Sequence, residues 1–171
     1  GGMYRKINGN LLYHGCIPLN DDGSFREITL PFADCAGKTF HGKALLDRIE
    51  QEVRSAYFSP NGTKEQKEAA DFMWYLWCGA DSPLYGKDKM AFFERTFLGK
   101  EAAELCTEHY EPYYSHTNDA SVCEMILEEF GLDKRRGHIV NGHVPVLRCD
   151  GESPIKAGGK LFVIDGGISK A

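Results

Sequence analysis

The sequence has little that would draw it to nucleic acid or into a bilayer. Its 20 Lys and Arg residues are outnumbered by 25 Asp and Glu, giving a formal charge of −5, and no basic stripe interleaved with aromatics offsets that balance. No nucleic-acid partner is expected. No run approaches the ~20 apolar residues that cross a membrane, and the N-terminus lacks a basic segment followed by an apolar one. A cytoplasmic location without membrane partners is the expectation. Six cysteines (16, 35, 78, 106, 123 and 149) include no CxxC and no short pairing, which excludes the usual frames of structural zinc and dithiol redox sites. They read as free thiols, with Cys78 after Trp77 as a small buried hydrophobe. Low-complexity runs, internal repeats and long linkers are also missing, so the 171 residues read as one domain or a large piece of one. Gly1-Gly2 ahead of Met3 reads as a cloning scar, and the stop at Ala171 after a strand-like run and a Gly-Gly pair reads as a cut.

What is present divides the chain into strands at its ends and helices in its middle. Residues 8 to 17 form a short apolar run delivering His14 to a strand-to-loop junction, and Pro18 to Ser24 reads as a turn leading to a strand over Phe25 to Leu30. Leu45, Leu46, Ile49, Val53 and Ala56 recur three or four apart, so the spacing predicts a helix ended by Ser59-Pro60. Thr63 is placed to cap a second helix with Gln66 as its capping-box partner, and the apolar second half of that helix, up to Cys78, is expected to be buried. Shorter helices are expected over Lys87 to Phe97 and Lys100 to His109. A further helix begins near Asp119, with Val122, Cys123, Ile126, Leu127 and Phe130 on one face and Gly131 at its end. Two β-rich runs, His138 to His143 and Lys160 to Asp165, close the chain.

Two histidines stand apart because each ends a β-like run beside glycine: Tyr13-His14-Gly15 and Gly142-His143-Val144. Imidazole suits borderline divalent metals, and a neighbouring glycine permits close backbone approach. His41, His109, His116 and His138 keep the commoner structural or surface reading, and His109 is expected to face solvent. The aromatic-rich middle, with Phe72, Trp74, Trp77, Phe92, Phe93 and Phe97, reads as core packing, and Glu124, Glu128 and Glu129 as the wet face of a helix.

Five ordered motifs carry a family resemblance: Asn10-Leu-Leu-Tyr-His-Gly-Cys-Ile-Pro18, Ser82-Pro-Leu-Tyr-Gly-Lys-Asp-Lys-Met90, Asn141-Gly-His-Val-Pro-Val146, Gly151-Glu-Ser-Pro-Ile-Lys156 and Val163-Ile-Asp-Gly-Gly-Ile-Ser-Lys170. Together they resemble the class III, or Firmicutes-type, fructose-1,6-bisphosphatases of the calcineurin-like metallophosphoesterase superfamily. The resemblance implies an α/β fold of mixed sheets in a sandwich flanked by helices, with a dinuclear metal site at strand ends. Residues 3–171 are then one partial domain, with sheet segments at about 7–31 and 137–171 and a helical insertion at about 41–131. It implies that His14 and His143 are the two later metal ligands of the superfamily and that manganese is the cofactor. It also implies fructose 1,6-bisphosphate as the substrate of a gluconeogenic phosphatase.

The superfamily's earlier Gly-Asp-x-x-Asp and Gly-Asn-His motifs are absent. Two-metal hydrolysis needs ions about 3.5–4 Å apart bridged by a carboxylate, which two histidines do not supply. The chain alone is therefore expected to be inactive, its partner being a missing N-terminal half of the same protein, with self-association through uncovered surface as a further possibility. Lys156, then Arg148 and Lys170, are the candidate cations for substrate phosphate. The other readings are a piece of another calcineurin-like phosphatase, such as a phosphoprotein phosphatase, and a regulatory or assembly domain without turnover.

Overall fold

The computed structural model describes residues 2–98, 103–147 and 150–165. The chain opens in a hairpin, β1 (Tyr4–Ile7) and β2 (Asn10–Tyr13), paired antiparallel across Asn8-Gly9. Those two residues have φ of 52° and 78°, the left-handed pair that a two-residue hairpin turn requires. β1 precedes the first strand expected from the sequence. β3 (Ile139–Asn141), β4 (Ile155–Lys156) and β5 (Leu161–Val163) complete one mixed sheet in the order β1-β2-β3-β5-β4. β2, β3 and β5 run parallel, with Leu11 opposite Ile139 and Ile139 opposite Leu161. These three side chains form a fully buried row across the sheet. Their neighbours Leu12, Val140 and Phe162 alternate to the other face and are only half-buried.

The strand expected over Phe25 to Leu30 does not form; the segment makes only isolated bridges, Leu19 with Phe25 and Ile28 with Phe40. Ile28 and Leu30 bury themselves in a helical core instead. Their alternation therefore reflects packing without a ladder.

α1 (Gly42–Phe58) and α2 (Lys64–Cys78) pack side by side, joining Leu45, Ile49, Phe72 and Leu76 to Ile28, Leu30 and Cys35 in that second core. Thr63 caps α2 as expected, its hydroxyl accepting from Gln66 N at 3.2 Å. α3 covers only Phe92–Phe97, shorter than the spacing predicts. Of the helix expected over Lys100 to His109, residues 100–102 lie outside the described residues, and 103–109 form turns and irregular chain.

α4 (Ala120–Glu129) lays Val122, Cys123, Ile126 and Leu127 on the sheet core. Asp119 caps it by accepting from Ser121 N at 2.8 Å. Gly131, at φ 67°, ends it in a Schellman motif, with Leu132 N donating to Leu127 O and Gly131 N to Glu128 O.

The burial expected for the second half of α2 and for the aromatic middle holds only for Phe72 and Leu76. Only Phe72 among those aromatics is buried; Trp74 and Trp77 are 67% and 60% exposed, and Phe92, Phe93 and Phe97 are exposed as well. α2 meets α1 through Ala69, Phe72 and Leu76, one line at helical spacing. Met73, Trp74 and Trp77 point off that line and stay largely exposed, the two indoles resting against each other at 5.1 Å. Cys78, expected to be buried, is partly exposed; it, Cys16, Cys35, Cys106 and Cys123 are free thiols, and Cys149 lies outside the described residues. Among the described residues no helix is long and apolar enough to cross a membrane.

Candidate metal centre

Parallel pairing is what unites the two histidines. β2 and β3 run side by side in the same direction, so the residues that follow them emerge at the same edge of the sheet. His14 follows β2, and Gly142-His143 follows β3; the Gly142 N–H donates to the His14 carbonyl at 3.1 Å. The Asn141 side chain, 2% exposed, adds a second tie by donating to the Gly15 carbonyl at 3.2 Å. β5 delivers Asp165 to the same edge, where its carboxylate and the His14 ring both lie beside Gly142. The carboxyl ends of parallel strands are where open α/β sheets place their ligand sites.

The rings meet nearly edge to face, at an interplanar angle of 81°, with Nε2 of His14 3.1 Å from Nδ1 of His143. The far side of His143 is occupied: its Nε2 lies 2.8 Å from the Tyr85 carbonyl oxygen. A carbonyl only accepts, so Nε2 carries the hydrogen and, in the neutral ring, Nδ1 presents a lone pair to His14. His14 Nε2–H then donates to that lone pair. A divalent ion between the rings would displace this proton, as ligand binding to metals does. Two imidazole nitrogens at about 2.0–2.1 Å from one ion, at cis or tetrahedral angles, stand about 2.8–3.4 Å apart. The donor set and its separation therefore fit two ligands of a single ion, with the Tyr85 carbonyl as the outer partner that such histidines characteristically have.

Backbone strain marks the same place. His143 has φ of 73°, in the left-handed region where a non-glycine residue costs about 1–3 kcal/mol. Gly15 is needed for a different reason from that expected of a glycine beside a metal ligand. A Cβ there would stand 2.1 Å from the Pro83 carbonyl oxygen, so glycine admits the Ser82–Gly86 turn.

Among the described residues no third His, Cys, Asp or Glu joins the pair to form a metal-sized cluster. The histidines open onto a cleft of 860 Å³ whose walls are mainly apolar, including Met73, Trp77, Leu84 and Tyr57. Its cation is Arg54, bound to Glu50 at 2.7 Å. Lys156 lines neither this cleft nor the smaller one beside His14. It pairs with Glu152 at 2.5 Å and borders a separate cavity of 120 Å³ with Asn141 and Gly142. Arg148 and Lys170 lie outside the described residues. His109 is exposed and meets Asp88 at 2.9 Å; His116 faces the Asp21 carbonyl, and His138 faces Asn10. Asn141 and Asp165 stand inside the quoted motifs but carried no chemical signal there, and the Tyr85 contribution is backbone, invisible in side-chain identity.

The family described as Firmicute fructose-1,6-bisphosphatase matches residues 1–171. Proteins named fructose-1,6-bisphosphatase class 3 from Bacteroides fragilis, Clostridium botulinum and Listeria monocytogenes are 51%, 52% and 53% identical to the chain over all 171 residues. The chain spans 25% of the length of each of these relatives. No solved structure matches it. With the family matching over its whole length and these relatives similar over all 171 residues, the chain belongs to the Firmicute fructose-1,6-bisphosphatase family.

Proposed function

We propose that this chain is part of the catalytic core of a manganese-dependent fructose-1,6-bisphosphate 1-phosphatase, in which His14 and His143 are two ligands of one ion of a dinuclear centre. The observation that carries the reading is the 3.1 Å separation of two imidazole nitrogens at the ends of adjacent parallel strands. Their surroundings support it, since Tyr85 holds the His143 tautomer and Asn141 ties the two loops together. The metal pair would supply a water of lowered pKa and positive charge for the phosphoryl oxygens. This chain's part is to present two neutral imidazoles at fixed spacing. The carboxylates and the remaining ligands come from elsewhere in the protein, which accords with relatives four times as long and makes this chain alone inactive. The names of those relatives favour the sugar-phosphate branch over a phosphoprotein phosphatase or a domain without turnover. Cytoplasmic gluconeogenesis is the setting this reading implies.

The open surfaces accord with the same proposal. The half-buried face of Leu12, Val140 and Phe162 is one that a second sheet of a metallophosphoesterase sandwich would cover, and the exposed aromatics of α2 and α3 would meet other parts of the protein. The isolated chain, lacking those covers, is then expected to self-associate. In the full-length protein, His14→Ala and His143→Ala should each abolish manganese-dependent phosphate release from fructose 1,6-bisphosphate and weaken Mn2+ binding measured by calorimetry. Undiminished Mn2+ binding in both variants would refute the assignment.

A further inference from the structure

We propose that Ser82 is a positioning residue for the metal centre, acting through the turn whose Tyr85 carbonyl holds His143; this rests on the assignment of His14 and His143 as metal ligands. Ser82 is 1% exposed and its hydroxyl is fully used. It donates to the Leu76 carbonyl in the last turn of α2 at 2.5 Å and accepts from Leu84 N at 3.2 Å and Tyr85 N at 3.3 Å. One donor and two lone pairs are all that a hydroxyl has. The turn is closed by Gly86 N donating to Ser82 O at 2.9 Å, and its far end is held by Glu111 N on Gly86 O at 3.0 Å.

This anchored turn reaches both histidine loops through two of its carbonyls, those of Pro83 and Tyr85. Pro83 O accepts from Cys16 N at 2.8 Å, two residues beyond His14. Tyr85 O accepts from His143 Nε2 at 2.8 Å. The absence of a side chain at Gly15 is what lets the turn approach so closely. Ser82 thus links α2, in the helical insertion, to the atom that decides which nitrogen of His143 carries the hydrogen. Removing the hydroxyl leaves three backbone groups without their shared partner, and the Tyr85 carbonyl loses its fixed direction. His143 then samples the wrong tautomer and ring orientation, and its Nδ1 lone pair no longer faces His14 for the whole time.

The test compares Ser82→Ala with the wild-type full-length protein by ring-nitrogen NMR of His143 and by Mn2+ calorimetry. Asp119→Ala, which removes the cap of α4 and touches neither the turn nor the core beneath it, serves as a control for stability loss alone. The wild type is expected to show a slowly exchanging His143 Nε2–H. Ser82→Ala is expected to lose that protection and to bind Mn2+ about 10–100-fold more weakly, the usual effect of removing an outer-shell partner. Asp119→Ala is expected to change neither. Should Ser82→Ala fail to fold, Ser82→Cys, with a weaker donor at the same position, is read by the same criteria. A retained, protected Nε2–H with Mn2+ affinity within twofold of wild type overturns the role of Ser82. A wild type that binds no Mn2+ overturns the metal assignment itself, a separate result.

Discussion

Replacing Gly15 by alanine tests whether the contact between the His14 loop and the Ser82–Gly86 turn is as tight as the structure shows. A Cβ at Gly15 would lie 2.1 Å from the Pro83 carbonyl oxygen, 3.1 Å from the Pro83 carbonyl carbon and 3.2 Å from Leu84 Cα. All three are backbone atoms, so no side-chain rotation relieves the clash. Carbon and carbonyl oxygen need about 3.3 Å, so the turn must retreat by about 1 Å. Such a retreat breaks the Cys16 N to Pro83 O hydrogen bond, now 2.8 Å, and draws the Tyr85 carbonyl away from His143. Overpacking of this kind costs about 1–3 kcal/mol and the lost hydrogen bond about 1 kcal/mol. For a protein of about this size, each kcal/mol lowers Tm by roughly 2–4 °C, so a fall of roughly 5–15 °C is expected by calorimetry. Gly131→Ala is the comparison, because Gly131 has φ of 67° but nothing within 4 Å of an added Cβ. It should lose only the conformational term, about 1–2 kcal/mol. If Gly15→Ala costs no more than Gly131→Ala, the steric reasoning is refuted, and with it the claim that the turn is pressed against the His14 loop.

Three further expectations follow from separate parts of the molecule. Asp119→Ala should remove the cap of α4 and about 1 kcal/mol of stability, read as a fall of roughly 2–4 °C in Tm; an unchanged Tm would mean that the Asp119 bonds to Ser121 N and Val122 N contribute nothing. The Glu108 carboxyl is held below its ordinary range by the hydrogen bond from Lys87 at 2.7 Å, reinforced by the Ala91 N–H. Its stabilisation is therefore present above the ordinary glutamate value of about 4.3 and is lost as pH falls through its lowered value, so Glu108→Gln should flatten the acid limb of a Tm-versus-pH curve. An acid limb identical to that of wild type would count against the pairing. Finally, changing Trp74 and Trp77 together to serine should leave the fold of the isolated chain intact by circular dichroism while reducing its self-association by light scattering. Loss of the fold would show that these exposed side chains support the core after all.

The elements that the sequence announces are those whose stabilisation is local. α1 is visible because Leu45, Leu46, Ile49 and Val53 repeat at helical spacing, and α4 because Asp119 and Gly131 bracket an apolar face. The Phe25 to Leu30 segment misleads because alternation records a buried face and is silent about whether another strand lies beside it. The aromatics of α2 mislead for a related reason. Hydrophobicity states that a side chain benefits from cover, yet which part of the protein supplies the cover is not written at that position. Lys156 was singled out by charge and motif, whereas its close approach to Glu152 is set by the loop between them.

The candidate site divides along the same line. By itself the sequence determined family membership, the identities of His14 and His143 as strand-end histidines, and the lack of a basic surface, because these are properties of residue type and order. Only the tertiary structure decided that two side chains 129 positions apart face each other at 3.1 Å, that the Tyr85 carbonyl selects the free nitrogen of His143, and that Ser82 and Gly15 bring that carbonyl into place. The physical reason is that each of these depends on parallel pairing of β2 with β3 and on a backbone turn carried by a distant helix. Hydrogen bonds to main-chain carbonyls leave no mark on the identity of the residue that supplies them.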